Sequence, residues 1–146
     1  MWVARAVDVP GDGTCMFHAI GKQIDFNGHL LRKLVTDFIR RFPDYKLHDQ
    51  TIRDWIMWDL ELSPEEYSKR LEHGQWGGAL ETTILSSLLR IPIFIYEPKS
   101  GGLCRRIAEA RPDLTFPTLK SKTTLEFLTI LYVRKSHYMI LEIIKR

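Results

Sequence analysis

The sequence predicts an α+β fold, a small, mostly antiparallel β-sheet flanked by helices, and three observations carry that expectation. Apolar residues recur at helical spacing through the first two-thirds of the chain. IPIFIY (91–96) directly follows a helical stripe and is β-rich and of strand length. Two further apolar stretches, LEFLTILYV (125–133) and HYMILEII (137–144), flank a short polar turn, Arg134-Lys135-Ser136. Helices followed by a terminal hairpin lead to a sheet covered by helices.

Each element has its own signal. ARAV (4–7) reads as a short edge strand entering a Gly-rich turn. From Cys15, the residues Phe17, Ala19, Ile20 and Ile24 fit a helix that stops near Asn27-Gly28. HLLRKLVTDFIRRF carries Leu30, Leu31, Leu34, Val35, Phe38 and Ile39 on one face and Arg32, Lys33, Asp37, Arg40 and Arg41 on the other. That is an amphipathic helix, ended by Pro43. Ile52, Trp55, Ile56 and Leu60 suggest a short helix. Ser63-Pro64-Glu65-Glu66 combines a capping box with proline at the first helical position, so a helix starts there and ends near His73-Gly74. After Trp76-Gly77-Gly78, Leu80, Ile84, Leu85 and Leu88 form the stripe of another helix.

Composition narrows the function. The 146 residues suit one domain spanning 1–146, 45% apolar and 27% charged, as in ordinary globular proteins. The net charge of +3 is scattered rather than blocked, which argues against a nucleic-acid partner. No apolar run reaches the roughly 18 to 20 residues of a membrane span, and the N-terminus lacks the apolar core of a signal peptide. Two cysteines without framework spacing, Cys15 and Cys104, suggest free thiols in a reducing, cytoplasmic setting.

The stretch VPGDGTCMFHAI (9–20) places Cys15 at a helix start behind a tight turn. A thiol attacks only as thiolate, and its free pKa of about 8.5 must be lowered. The positive end of a helix and a nearby histidine both do this. Gly11 and Gly13 would let the preceding loop turn its amides inward as an oxyanion hole. Among His18, His29, His48, His73 and His137, the base is best sought at His137, which opens a strand after a tight turn. His18 shares a rigid helix with Cys15, which disfavours approach. Cys15 and His18 also have the C-x-x-H spacing of half a zinc site, but no paired second half exists in the sequence.

Three blocks, GDGTCMFHAI (11–20), WGGALETTILSSLLRIPIFIY (76–96) and HYMIL (137–141), resemble the ovarian tumour (OTU) family of cysteine proteases, mostly deubiquitinases. The segments HLLRKLVTDFIRRFP and SPEEYSKRLEHGQ resemble its intervening helices. The resemblance implies a papain-like OTU fold with Cys15 as nucleophile, His137 as general base and Asp12 counted with the active site. It also implies oxyanion-hole amides from Asp12, Gly13, Thr14 and Cys15, and a cleft side shaped by Trp76, Gly77 and Gly78. Glu81 matches the same block, in a packing and capping role. Many family members carry Asn or Asp two residues after the histidine, on the same strand face. This chain has Met139 there, and Glu142 is on the opposite face by parity. An acid from the N-terminal segment, Asp8 or Asp12, is therefore expected to orient His137, with a bare Cys–His dyad or a backbone carbonyl as alternatives.

The activity implied is hydrolysis of the isopeptide bond between a ubiquitin or ubiquitin-like C-terminus and lysine. It would proceed through a thioester on a monomer, with no metal or organic cofactor and no membrane. A ubiquitin-binding module without activity, and a polyprotein-processing protease of a viral or bacterial pathogen acting in host cytoplasm, are the competing expectations.

Overall fold

The computed structural model describes residues 2–9, 13–75, 77–119, 123–133 and 137–145. In chain order the elements are β1 (Trp2–Val7), α1 (Cys15–Gln23), α2 (Gly28–Arg41), β2 (Lys46–Leu47), β3 (Gln50–Thr51), α3 (Ile52–Leu60), α4 (Pro64–Glu72) and α5 (Ala79–Leu89). They continue with β4 (Ile93–Lys99), β5 (Leu103–Ala110), β6 (Leu128–Val133) and β7 (His137–Lys145). Among the described residues, no helix is long and apolar enough to cross a membrane.

The strand order is β1-β7-β6-β4-β5, and every pairing is antiparallel except β4 with β6. The α+β expectation holds, with β1 at one edge. Some boundaries differ. β6 begins at Leu128, because Leu125 and Phe127 remain exposed ahead of the ladder. β5 was not expected, since LCRRIAEA offers no apolar stripe; as an edge strand it is exposed over all but its last residue. The two-residue hairpin of β2 and β3 was likewise unsignalled. The turn at 134–136 lies outside the described residues.

Capping residues set the helix starts. Asn27, Thr51 and Ser63 accept backbone N–H groups of α2, α3 and α4 through their side-chain oxygens, and Pro64 opens α4. Asn27 thus begins α2 rather than ending α1, which stops at Gln23. Helix α5 is buried nearly all round. Its hydroxyls are satisfied by backbone carbonyls, Thr83 and Ser87 each donating four residues back.

Helix α1 positions the site by being held at both ends. At its C-terminus, Gln23 donates to the Thr129 carbonyl at 3.0 Å and accepts the Thr129 N–H at 3.3 Å, just where the β6–β7 ladder ends at Ile130↔Ile140. At its N-terminus, Cys15 meets Tyr138. Eight residues of helix rise about 12 Å, close to the roughly 10 Å of strand between Thr129 and the Tyr132↔Tyr138 pair. Between these ends Met16, Phe17, Ala19 and Ile20 are fully buried.

Helix α2 corrects one expectation. Leu31, Val35 and Ile39 are buried as its stripe, but Arg32, placed on the polar face, is only 7% exposed, while Leu30 is 55% exposed. Arg32 turns inward because backbone carbonyls there await a donor, as described below.

Candidate active site

Gly13 and Thr14 lead into α1. A Cβ on Gly13 would come within 2.2 Å of the Gly74 carbonyl oxygen, so only glycine lets this loop pass the end of α4. Cys15 follows as the first residue of α1, with no exposed surface. Its Sγ accepts the Tyr138 backbone N–H at 3.4 Å. That contact puts the sulfur one residue from His137 and supplies a donor that favours thiolate over thiol.

The β1–β7 ladder runs from Trp2↔Lys145 to Val7↔Ile140 and then stops. Continuing its register puts Asp8 opposite Met139, diagonal to His137, within reach of a side chain on the same face. Asp8 Oδ1 lies 2.8 Å from His137 Nε2 and also accepts the Val9 N–H at 2.9 Å. Asp8, one of the two acids expected from the sequence, thus reaches the imidazole; Asp12, like Gly11, lies outside the described residues. The bond from His137, aided by Val9, holds the Asp8 carboxyl below the ordinary carboxylate range. Glu142, on the other face, is paired with Arg5 at 2.6 Å. Register therefore delivers, from the residue just past β1, the carboxylate that position 139 does not carry.

His18 is part of a different contact. Its ring meets His29 edge-on, 4.8 Å between centroids, on the side of α1 that packs against α2. His48 Nε2 is 2.7 Å from the Arg111 carbonyl, and His73 ends α4. Burial pushes the Tyr138 phenol up to about 12, with Tyr132 and Cys15 adding to it, so it stays neutral.

Trp76 lies outside the described residues. Gly77 is pressed against α1, where an added Cβ would sit 2.4 Å from Met16 Cε. Gly78 starts α5 and donates its N–H to Glu81 Oε1 at 2.7 Å, while Glu81 Oε2 accepts the Tyr67 hydroxyl at 2.6 Å. Glu81 is thus a buried cap, as its place in the motif suggested. Burial pushes its carboxyl above the ordinary range, against the pull of Tyr67, Gly78 and the charge of Arg32. An acid raised on folding contributes stability below its unfolded pKa that is lost as pH rises through the folded value. Glu81→Gln keeps the acceptor for Gly78 and removes this titration. The melting temperature of the variant, relative to the parent, is expected to be higher at about pH 8 than at about pH 4.5; an offset that does not change with pH would contradict it.

A sulfur at a helix start, bonded to the residue that follows a histidine whose imidazole is held by a carboxylate, has the parts of a thiol-dependent hydrolase. The chain is a cysteine hydrolase of α+β architecture. It belongs to the OTU-like cysteine protease family, whose model matches residues 10–138. It is 28% identical to OVARIAN TUMOR DOMAIN-containing deubiquitinating enzyme 3 of Arabidopsis thaliana over 93% of this chain and 67% of that one. It is also 28% identical to ubiquitin thioesterase otu2 of Schizosaccharomyces pombe over 67% of this chain. The matched regions thus span two-thirds of the plant protein and about a third (34%) of the yeast one. The fold resembles the Hazara virus OTU bound to ubiquitin, with a TM-score of 0.67 and 16% identity over 98% of this chain and 83% of that one.

Proposed function

We propose that this protein is a deubiquitinase, cleaving the bond between a ubiquitin or ubiquitin-like C-terminus and a lysine amine, with Cys15 as nucleophile and His137 as base. The observation that carries this is that one residue step joins the two halves of the site: Tyr138 N–H bonds the Cys15 sulfur while His137 is held by Asp8.

With Nε2 directed at Asp8, Nδ1 is the ring nitrogen that takes the Cys15 proton. The thiolate adds to the carbonyl of the terminal glycine, and the oxyanion forms against the amides around Thr14 and Cys15. Collapse of this intermediate breaks the C–N bond, and the imidazolium gives its proton to the lysine amine. Water, deprotonated by His137, then hydrolyses the thioester. Acyl transfer by this route needs no metal or organic cofactor. The reaction would run on a monomer in the cytoplasm.

The direct test is covalent capture with a ubiquitin derivative bearing a C-terminal electrophile, followed by mapping of the adduct. One adduct per chain at Cys15 is expected. Binding of the derivative without an adduct, or an adduct mapped to Cys104 alone, would defeat the enzyme reading.

A further inference from the structure

Arg32 is a buried guanidinium with a fork of named partners. Its Nε donates to Thr14 Oγ1 at 3.3 Å, and one terminal nitrogen donates to the Leu71 and Gln75 carbonyls at 2.8 and 2.7 Å. The other terminal nitrogen donates to the Gly13 carbonyl. The guanidinium carbon lies 4.9 Å from the centroid of the Phe17 ring. Arg32 thereby ties the two residues before Cys15 to the carbonyl end of α4, where a cation is favoured.

Two consequences bear on chemistry. In a planar trans peptide the C=O and N–H point in opposite directions. A Gly13 carbonyl drawn toward Arg32 therefore turns the Thr14 N–H to the side away from Arg32. Thr14 also occupies the N-cap of α1, where a threonine oxygen ordinarily accepts an amide of the first helical turn. Asn27, Thr51 and Ser63 do so on their helices, but Thr14 makes no side-chain cap bond, and its oxygen accepts from Arg32 instead. The backbone ladder of α1 begins with His18 N–H to Thr14 O at 2.9 Å. One side chain thus controls both the peptide plane before Cys15 and the capping oxygen of its helix.

We propose that Arg32 is a positioning residue for the oxyanion hole, fixing the Gly13–Thr14 peptide plane and the start of α1 so that the Thr14 and Cys15 amides meet the developing oxyanion. It acts through the loop and touches no reacting atom. The proposal rests on the reading of Cys15 as nucleophile.

The test separates two reactions of the same sulfur. Hydrolysis of a ubiquitin C-terminal fluorogenic amide moves the carbonyl π electrons onto oxygen and needs the hole. Alkylation by iodoacetamide displaces iodide from a methylene carbon and forms no oxyanion. Arg32→Lys keeps the charge and loses the fork. It is expected to lower kcat about 100-fold, the scale of a lost oxyanion donor, with KM and the Cys15 alkylation rate within about threefold of the parent. Thr14→Val removes only the hydroxyl oxygen, and keeps the question open to experiment if Arg32→Lys does not fold. For it a loss of kcat of about tenfold is expected, again with alkylation preserved. Parallel losses of hydrolysis and alkylation, or unchanged hydrolysis in the folded variants, would overturn the proposal. Hydrolysis that survives Cys15→Ala would instead overturn the reading beneath it.

Discussion

Cys15→Ala is expected to lower kcat/KM by about 10⁴-fold or more while leaving the affinity for ubiquitin within a fewfold of the parent. The size follows from the chemistry: a nucleophile and its base act as a unit, so loss of either removes nearly all catalysis that depends on the pair. Retained affinity follows from the structure. Cys15 has no exposed surface, so it contributes little to the surface a protein partner meets. The fold tolerates the change, because one buried sulfur is removed from a helix held at its other end by Gln23. A cost of about 1 kcal/mol or a little more is expected from the small void and the lost acceptor of Tyr138. Steady-state kinetics on a ubiquitin amide, with calorimetric titration of ubiquitin into the variant, checks both halves. Residual activity above about 1% of the parent would remove Cys15 from the mechanism.

Asp8→Asn should lower kcat by about 10- to 100-fold with little change in KM. The carboxylate fixes the imidazole by its bond to Nε2 and favours the imidazolium that forms when Cys15 gives up its proton. The loss stays below the roughly 10⁴-fold known for a buried triad aspartate, because the Asp8 side chain is 73% exposed and water screens it. The bond from His137 holds the Asp8 carboxyl below the ordinary carboxylate range, so Asp8 stays ionised near neutral pH. The stability it contributes is present above its unfolded pKa and lost only as pH falls through the lowered folded value. Its catalytic contribution is accordingly expected at any assay pH near neutrality. Register adds a rescue: position 139 lies opposite Asp8 and on the face of His137, so Met139→Asn in the Asp8→Asn background should recover part of kcat. A fall in kcat of less than about threefold in Asp8→Asn would show that Asp8 does not orient the base.

Features written in consecutive residues were legible. Ser63-Pro64-Glu65-Glu66 specifies a helix start whatever surrounds it, and the structure has that cap at that residue. Cys15 behind a Gly-rich turn was legible for the same reason. Helix α1 was readable in its start but not in its end, because Asn27 is as good a cap for the next helix as a stop for the previous one. β5 escaped notice because an exposed edge strand needs a partner ladder more than an apolar face.

What depends on distant chain segments was not legible. Local pattern left Asp8 and Asp12 equal; the β1–β7 register brings Asp8 diagonally to His137 across 129 residues. Arg32 is the sharper case, since charge and helical spacing both put it in solvent. Burial of a guanidinium is favourable only where acceptors converge, and those come from the loop at 13–14 and the end of α4. The sequence by itself determined the capped helix start at Ser63-Pro64, the thiol at the head of α1 and the histidine that opens β7. Strand register and helix docking alone brought Asp8 to that histidine and Arg32 to the loop before the thiol, because hydrogen bonds between remote segments exist only once packing has made them neighbours.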